Sequence, residues 1–449
     1  FGASTGSNRE EKMMKILQKA PKNGLHGNLT VPGDKSISHR ALMIGAISEG
    51  KTVIEHFLCG EDCLSTMKAL QDLGVKIVRN GDHVEVEGVG QTGFKQPEKP
   101  LDMGNSGTTT RLMMGLLAGQ NLDAKMEGDS SLSKRPMKRV SEPLKKFGAK
   151  VELSDQGTLP AIVHGKKLHE ATIKMDVASA QVKSALIFAA LYADGTSTIV
   201  EKLPTRDHTE IMLRAFGADV KTAEDGVTIT VSGKPRLKGR KVVVPSDISS
   251  AAFFVAAAAL IPGSEATFEN VSLNPTRTGI LHVLCRMGGN VSIVPDPNES
   301  GEQSGTIRVK YAPLRAIELT EEDVPSIIDE LPLVAMLAAS ADGTSKITGA
   351  AELRVKETDR IAVTAQELRK FGVEIEELED GMIIKGRENW NVQTQKLDSH
   401  GDHRIGMMDA IAALKADCEM ELENEAAIDI SYPTFFSDLA KITGGVKND

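Results

Sequence analysis

The strongest constraint on this chain is a short pattern that returns at intervals of about 70 residues. It reads Leu, two tolerant positions, a large apolar residue, Gly, two variable positions, then Val or Ile. Copies run Leu70–Ile77, Leu144–Val151, Leu213–Val220, Leu284–Val291 and Leu368–Ile375, and Leu439–Val446 repeats it imperfectly, with Thr443 where the Gly is expected. Each copy predicts a helix whose last turn closes on a left-handed Gly and passes directly into a strand. Hairpin signals follow most copies, at Asn80-Gly81, Asp225-Gly226 and Asp380-Gly381.

A second repeat interleaves with the first. Helices rich in Ala, Leu and Met are expected at Ser36–Ile47, Gly107–Leu117, Ser179–Tyr192, Ser249–Leu260, Leu331–Ala339 and His403–Leu414. They are apolar on all sides, so each is expected at the buried centre of its unit. Six such units form a structural repeat. At 449 residues the chain exceeds what one core usually holds, so two α/β domains of three units each are expected.

Composition excludes several functions. The net charge of −9 argues against a nucleic-acid partner, which selects a basic face. The longest apolar run, Ala251 to Ile261, falls far short of the ~20 residues that span a bilayer, so no membrane partner is expected. Cys59, Cys63, Cys285 and Cys418 do not make a disulfide framework and read as buried or idle thiols. The opening residues Phe1 to Lys15 lack the apolar core of a secretory signal and read in part as an expression remnant ahead of Met13 or Met14. A cytoplasmic location is expected.

Chemistry is expected where the buried helices begin, because a helix N-terminus presents unpaired N–H groups and about half a positive charge. The first entry, Pro32-Gly33-Asp34-Lys35-Ser36-Ile37-Ser38-His39-Arg40, places Arg40 one turn after Ser36. It lacks the upstream Gly of a nucleotide-binding P-loop, so ATP is not expected. The second, Gly104-Asn105-Ser106-Gly107-Thr108-Thr109-Thr110-Arg111, offers glycines for close backbone approach and hydroxyls for capping. A loop from Gly128 to Arg139 carries Lys134, Arg135, Lys138 and Arg139, and the third entry adds Ser179 and Gln181. Arg354-Val355-Lys356-Glu357-Thr358-Asp359-Arg360 is expected to put Lys356 and Arg360 on one helical face. His400-Gly401-Asp402-His403-Arg404 opens the last buried helix, and its two His residues lack the further spaced ligands of a metal site.

Taken together, Gly33–Arg40, Gly104–Thr108, Lys134-Arg135-Pro136, Arg354–Arg360 and Gly401–Arg404 resemble, in order, the motifs of the 5-enolpyruvylshikimate-3-phosphate synthase family, and the resemblance runs from about Leu25 to Phe436. It implies an inside-out α/β barrel fold of two similar domains, each a threefold assembly of βαβαββ units. The domains expected are 14–33 plus 245–449, and 34–244, with the active site in the cleft between them. The implied reaction transfers the carboxyvinyl group of phosphoenolpyruvate to the 5-hydroxyl of shikimate 3-phosphate and releases phosphate. These two small molecules are the only partners expected; no cofactor or metal is, and a monomer is.

The resemblance also implies roles. Lys35 lies between both substrates, and Ser36, Arg40, Ser179, Gln181, Asp329 and Lys356 contact shikimate 3-phosphate. Asn105, Gly107, Arg135, Gln181, Arg360 and Arg404 hold phosphoenolpyruvate, for whose site glyphosate competes. Asp329 matches the proton acceptor and Glu357 the proton donor. Arg206, in Lys202-Leu203-Pro204-Thr205-Arg206, stands where some members use Ser and Tyr, and is expected to substitute as a cation for shikimate 3-phosphate. A late Lys found in some members has no match near Ile430-Ser431-Tyr432-Pro433. Two alternatives share the fold. The sister transferases acting on a UDP-amino sugar carry a reactive Cys where Ser130 stands, and a noncatalytic relative should lack one of Lys35, Asp329 and Glu357, which are all present.

Overall fold

The computed structural model describes residues 14–297 and 301–444. Met13 and Val446, singled out above, lie outside these residues.

The repeating glycine behaves as its spacing predicts. Gly74, Gly148, Gly217, Gly288 and Gly372 all adopt the left-handed conformation, with φ from 81° to 106°, and each leads into a strand. In the imperfect sixth copy that role passes to Gly444, φ 68°, one residue later than the pattern. The turn expected at Asp380-Gly381 also moves. Glu379 and Asp380 form the turn, and Gly381 instead opens a strand beside Ile347, where a Cβ would stand 1.8 Å from the Ile347 carbonyl oxygen.

Among the described residues the strands form five four-stranded sheets of one design, one three-stranded sheet and one two-stranded sheet. In each four-stranded sheet a parallel edge strand joins an antiparallel set of three, as where Lys241–Val243 lies parallel to Glu49–Glu55, which pairs with His83–Val89. That pairing closes the first half of the chain on itself. Both N-terminal strands join the other half: Lys15–Leu17 pairs with Met420–Glu423, and His26–Leu29 with Glu265–Ser272.

The six buried helices appear as α1 (Lys35–Ala46), α2 (Gly107–Ala118), α3 (Ala180–Ala190), α4 (Ile248–Leu260), α5 (Leu331–Ala338) and α6 (His403–Ala413). Five begin at a side-chain cap, from Asp34, Ser106, Ser179, Asp247 and Asp402. Buried apolar residues separate into two clusters, one spanning Ile37 to Val244, the other combining Leu17 to Val31 with Ile248 to Ile442. The chain crosses between them twice, side by side: Asp34 N–H donates to the Pro245 carbonyl at 2.7 Å, and Asp247 N–H to that of Pro32 at 2.9 Å.

The helix centres pack closely enough to depend on single hydrogens. In α2, a Cβ on Gly115 would stand 2.0 Å from the Ala185 carbonyl oxygen of α3, where only backbone can yield. Gly115→Ala is therefore expected to destabilise by about 1–3 kcal/mol, the usual cost of overpacking, despite the better helix propensity of Ala. Calorimetry should show a melting temperature lower by roughly 2–4 °C per kcal/mol; an unchanged or higher value would refute the tight contact.

Candidate active site

A cavity of about 300 Å³ lies between the two halves. Its placement follows from the caps: because the helices start at the cleft, their first residues face it. Lys35 and Ser36 of α1, Gly107 and Thr108 of α2, Ala180 and Gln181 of α3, Asp329 just ahead of α5, and His403 and Arg404 of α6 all line it. The start of α4 does not.

Ten Lys or Arg side chains line the cavity, against six carboxylates, in a protein whose net charge is −9. The positive charge is therefore local. On the first-half wall, Arg40 donates from Nε to Thr209 Oγ1 at 2.7 Å and from Nη2 to Ser184 Oγ at 2.9 Å. Burial pushes it down to about 10. Arg111 is likewise pushed to about 10 by burial and then by the like charges of Arg135 and Arg139. Arg111 donates to Gln181 Oε1 at 2.8 Å, and Gln181 Nε2 to Thr108 Oγ1 at 3.0 Å. Lys35 Nζ pairs with Asp62 at 3.1 Å; burial alone would lower its pKa, but Asp62, Glu357 and Asp329 raise it, so it stays charged.

The opposite wall is organised by Arg360, which is 1% exposed. It donates to Glu357 Oε2 at 2.7 Å and Asp402 Oδ2 at 2.9 Å, and lies 3.7 Å from Asp329. Glu357, Asp402 and His403 bring ligand atoms within 4.8 Å of one another. The Arg360 guanidinium stands among them and supplies the positive charge there. Burial would raise both Asp329 and Glu357, yet neighbouring cations reverse this. Arg206, Arg404, Lys356 and Arg360 hold Asp329 well below the carboxylate range; Arg360 first, with Arg135 and Lys35, does so for Glu357. Burial and Arg404 hold His403 neutral. Burial also lowers Lys356.

Bonds cross the cleft. Arg206 donates to Asp329 Oδ2 at 2.7 Å, Arg139 to Glu352 at 2.5 Å, and Lys202 lies 3.3 Å from Glu321.

Of the residues expected at the site, the cavity gathers Lys35, Ser36, Arg40, Gly107, Arg135, Ser179, Gln181, Arg206, Asp329, Lys356, Glu357, Arg360 and Arg404. Asn105 is not among them. Its carboxamide oxygen accepts from Arg135 Nη2 at 2.8 Å and its NH₂ donates to Asp129, so it steadies Arg135 from behind. Lys356 and Arg360 do not share a helical face, because a short turn ends at Val355 and the next helix begins at Arg360 under an Asp359 cap. The basic loop divides: Arg135 and Arg139 face the cavity, while Lys134 and Lys138 are exposed. Sequence reasoning gave no role to Asp62, Thr108, Arg111 or Arg139. For two of these a signal existed, since Arg111 follows Gly107 by one helical turn and Arg139 stands inside the basic loop.

The depressed carboxylates have a consequence for acid stability. A folded pKa below the unfolded value contributes stability that is complete above the unfolded pKa, about 3.9 for Asp, and is lost as pH falls through the folded value. Asp329→Asn is thus expected to lower the melting temperature at pH 7 and by progressively less below about pH 4. A difference from wild type that stays constant down to pH 3 would contradict this.

A sequence model described as EPSP synthase (3-phosphoshikimate 1-carboxyvinyltransferase) matches residues 19–439. The 3-phosphoshikimate 1-carboxyvinyltransferase of Lactiplantibacillus plantarum is 56% identical over 434 residues, covering 97% of this chain and 100% of that protein. That of Geobacillus kaustophilus is 49% identical over 421 residues, covering 94% and 98%. The solved structure of EPSP synthase from Acinetobacter baumannii is similar with a TM-score of 0.83 at 42% identity, covering 96% of this chain and 97% of that one. The enolpyruvyl transferase NikO from Streptomyces tendae shares the fold, with a TM-score of 0.77 at 18% identity and coverage of 95% and 97%. The chain belongs to the EPSP synthase family, the 3-phosphoshikimate 1-carboxyvinyltransferases of the shikimate pathway.

Proposed function

We propose that Lys35, Asp329 and Glu357 carry the proton traffic of carboxyvinyl transfer from phosphoenolpyruvate to the 5-hydroxyl of shikimate 3-phosphate, on a cradle of the surrounding cations. The observation that carries this reading is the convergence of ten cations on one cavity, with two carboxylates held ionised among them. Both substrates bear a phosphate and a carboxylate, so holding them together requires fixed cations to offset their mutual repulsion. Arg40, Ser36, Ser179, Gln181, Arg206 and Lys356 form the shikimate 3-phosphate side. Gly107, Arg135, Arg360 and Arg404 form the phosphoenolpyruvate side, with Asn105 holding Arg135 in place.

Addition needs a base for the hydroxyl and an acid for the vinyl carbon, and departure of phosphate needs the reverse traffic. Asp329 is ionised and suits the base. Glu357 is ionised too while paired with Arg360, so it gains its proton only when substrate anions take up the neighbouring cations and lift its pKa. Ser130 is exposed and outside the cavity lining, so nothing there supplies the thiol of the UDP-amino-sugar reaction. We read residues 14–33 with 245–449, and 34–244, as the two domains, in support of which stand the two separate clusters of buried apolar residues. Among the described residues no helix is long and apolar enough to cross a membrane. A cytoplasmic monomer is the form proposed.

Phosphate release from both substrates tests the assignment. Lys35→Ala is expected to lower turnover by at least about 10³-fold in a folded protein, at the upper end for one preorganised donor. Asp329→Ala and Glu357→Ala should each cost ~10²–10⁴-fold, the usual contribution of a positioned proton-transfer group. Near-normal turnover in any of the three removes that residue from the chemistry.

Gly107 gives a sharper test. A Cβ there would stand 2.7 Å from Arg111 Nη1 and 3.1 Å from Arg135 Nη1, the movable tips of two cavity cations. Gly107→Ala is expected to raise the glyphosate inhibition constant by about tenfold or more, equivalent to ~1.4 kcal/mol, and the phosphoenolpyruvate KM by less. Equal changes in both constants would defeat the steric account.

A further inference from the structure

Arg277 lies outside the cavity and is 2% exposed. Its Nη1 bonds to Asp34, the cap of α1 at the first chain crossing. Its Nη2 reaches Asp247 Oδ1 at 3.1 Å, the cap of α4 at the second crossing, and Ser249 Oγ at 2.7 Å. Both capping carboxylates are already committed to backbone: Asp34 accepts from Ile37 N–H at 2.8 Å, and Asp247 from Ser249 N–H at 2.7 Å.

Each contact leads one step further to the reacting side chains. Asp247 Oδ2 accepts from the backbone N–H of Lys35 at 2.9 Å. Ser249 Oγ donates to Glu330 Oε1 at 2.5 Å, and Glu330 is the residue after Asp329. Arg277 Nη1 also lies 3.4 Å from His208 Nε2, on the first half of the chain, and His208 Nδ1 is 2.5 Å from Glu302. One guanidinium thus touches both crossings and stands two bonds from the backbone N–H of Lys35 and from the side-chain carboxylate of Glu330. A planar fork is suited to this, because it holds several acceptors at fixed angles where an ammonium cannot.

We propose that Arg277 is a positioning residue, pinning the two crossings so that Lys35 and Asp329 meet in reacting register. It acts through Asp247 and Ser249 and touches no substrate. A buried ion pair is weak evidence for stability by itself, so the geometry it fixes is the stronger ground for its role. Misplacement of reacting groups by about 1 Å, from a change away from the chemistry, can cost ~10²-fold.

This inference rests on the roles proposed for Lys35 and Asp329, and its test separates the two. Arg277→Lys keeps the charge and loses the fork. It is expected to fold with normal circular dichroism, bind shikimate 3-phosphate within about threefold of wild type, and lose about 10²-fold in kcat. Asp247→Asn, which keeps a capping side chain, should lose kcat likewise, and the double variant should be no worse than the weaker single, since both break one link. If Arg277→Lys does not fold, Arg277→Met with Asp34→Asn, which removes the buried charges as a pair, is read in the same way. Unchanged kcat per folded molecule, whatever the melting temperature, would overturn the proposal. So would loss of folding in both, which would make Arg277 a requirement of the fold alone. Failure of the underlying roles would show instead as an active Lys35→Ala enzyme.

Discussion

Cations crowded into one cavity repel one another, and everything at this site depends on the carboxylates placed between them. Two like charges 4 Å apart cost about 4 kcal/mol at an effective dielectric of 20. Ten such side chains around 300 Å³ would not assemble unaided. Asp62 stands against Lys35, Asp329 between Arg206 and Arg360, and Glu357 and Asp402 against Arg360. Where no carboxylate makes direct contact, as at Arg111, like-charge neighbours and burial lower the pKa instead. The carboxylates needed to assemble the cradle include the two proposed to move protons.

The helix caps tie this electrostatic arrangement to the fold. Asp402 caps α6 through the Arg404 N–H and holds Arg360 with the same carboxylate. Asp34 and Asp247 cap their helices and hold Arg277. Three of the five caps, Asp34, Asp247 and Asp402, therefore also fix a cation, whereas Ser106 and Ser179 bond within their own helices. The start of α4 does not line the cavity, and there the cap serves the chain crossing.

The fold was largely legible in the sequence because its signals are local. A left-handed Gly after a helix and an all-apolar helix register within one unit, and five Gly positions and all six helices stand where the pattern put them. The sixth copy slipped by one residue because Thr443 ends the helix and Gly444 closes it. The site was legible mainly through motif resemblance, and the exceptions have physical reasons. Asn105 was read as a ligand contact from its place beside Gly107, yet its partners, Arg135 and Asp129, come from a loop that spacing cannot locate. Arg277 carried no signal at all: its two carboxylates lie 243 and 30 residues away, and only the doubled crossing brings them together.

The charge pairing also argues for an order of events. Arg206 and Arg360 are engaged by Asp329 and Glu357, and a carboxylate so engaged is not free to accept or deliver a proton. A substrate phosphate carries more charge than a carboxylate and presents more acceptor oxygens, so it competes well for a guanidinium. On the roles proposed above, Arg206 turning to one substrate and Arg360 to the other would leave Asp329 available to the hydroxyl and take from Glu357 the neighbour that chiefly depresses its pKa. The proposed proton-transfer groups would then be released by the binding of the molecules on which they act. A carboxylate held by a cation that no substrate approached would stay suppressed whether or not substrate was present; on the proposed roles the cations are shared, and readiness follows occupancy.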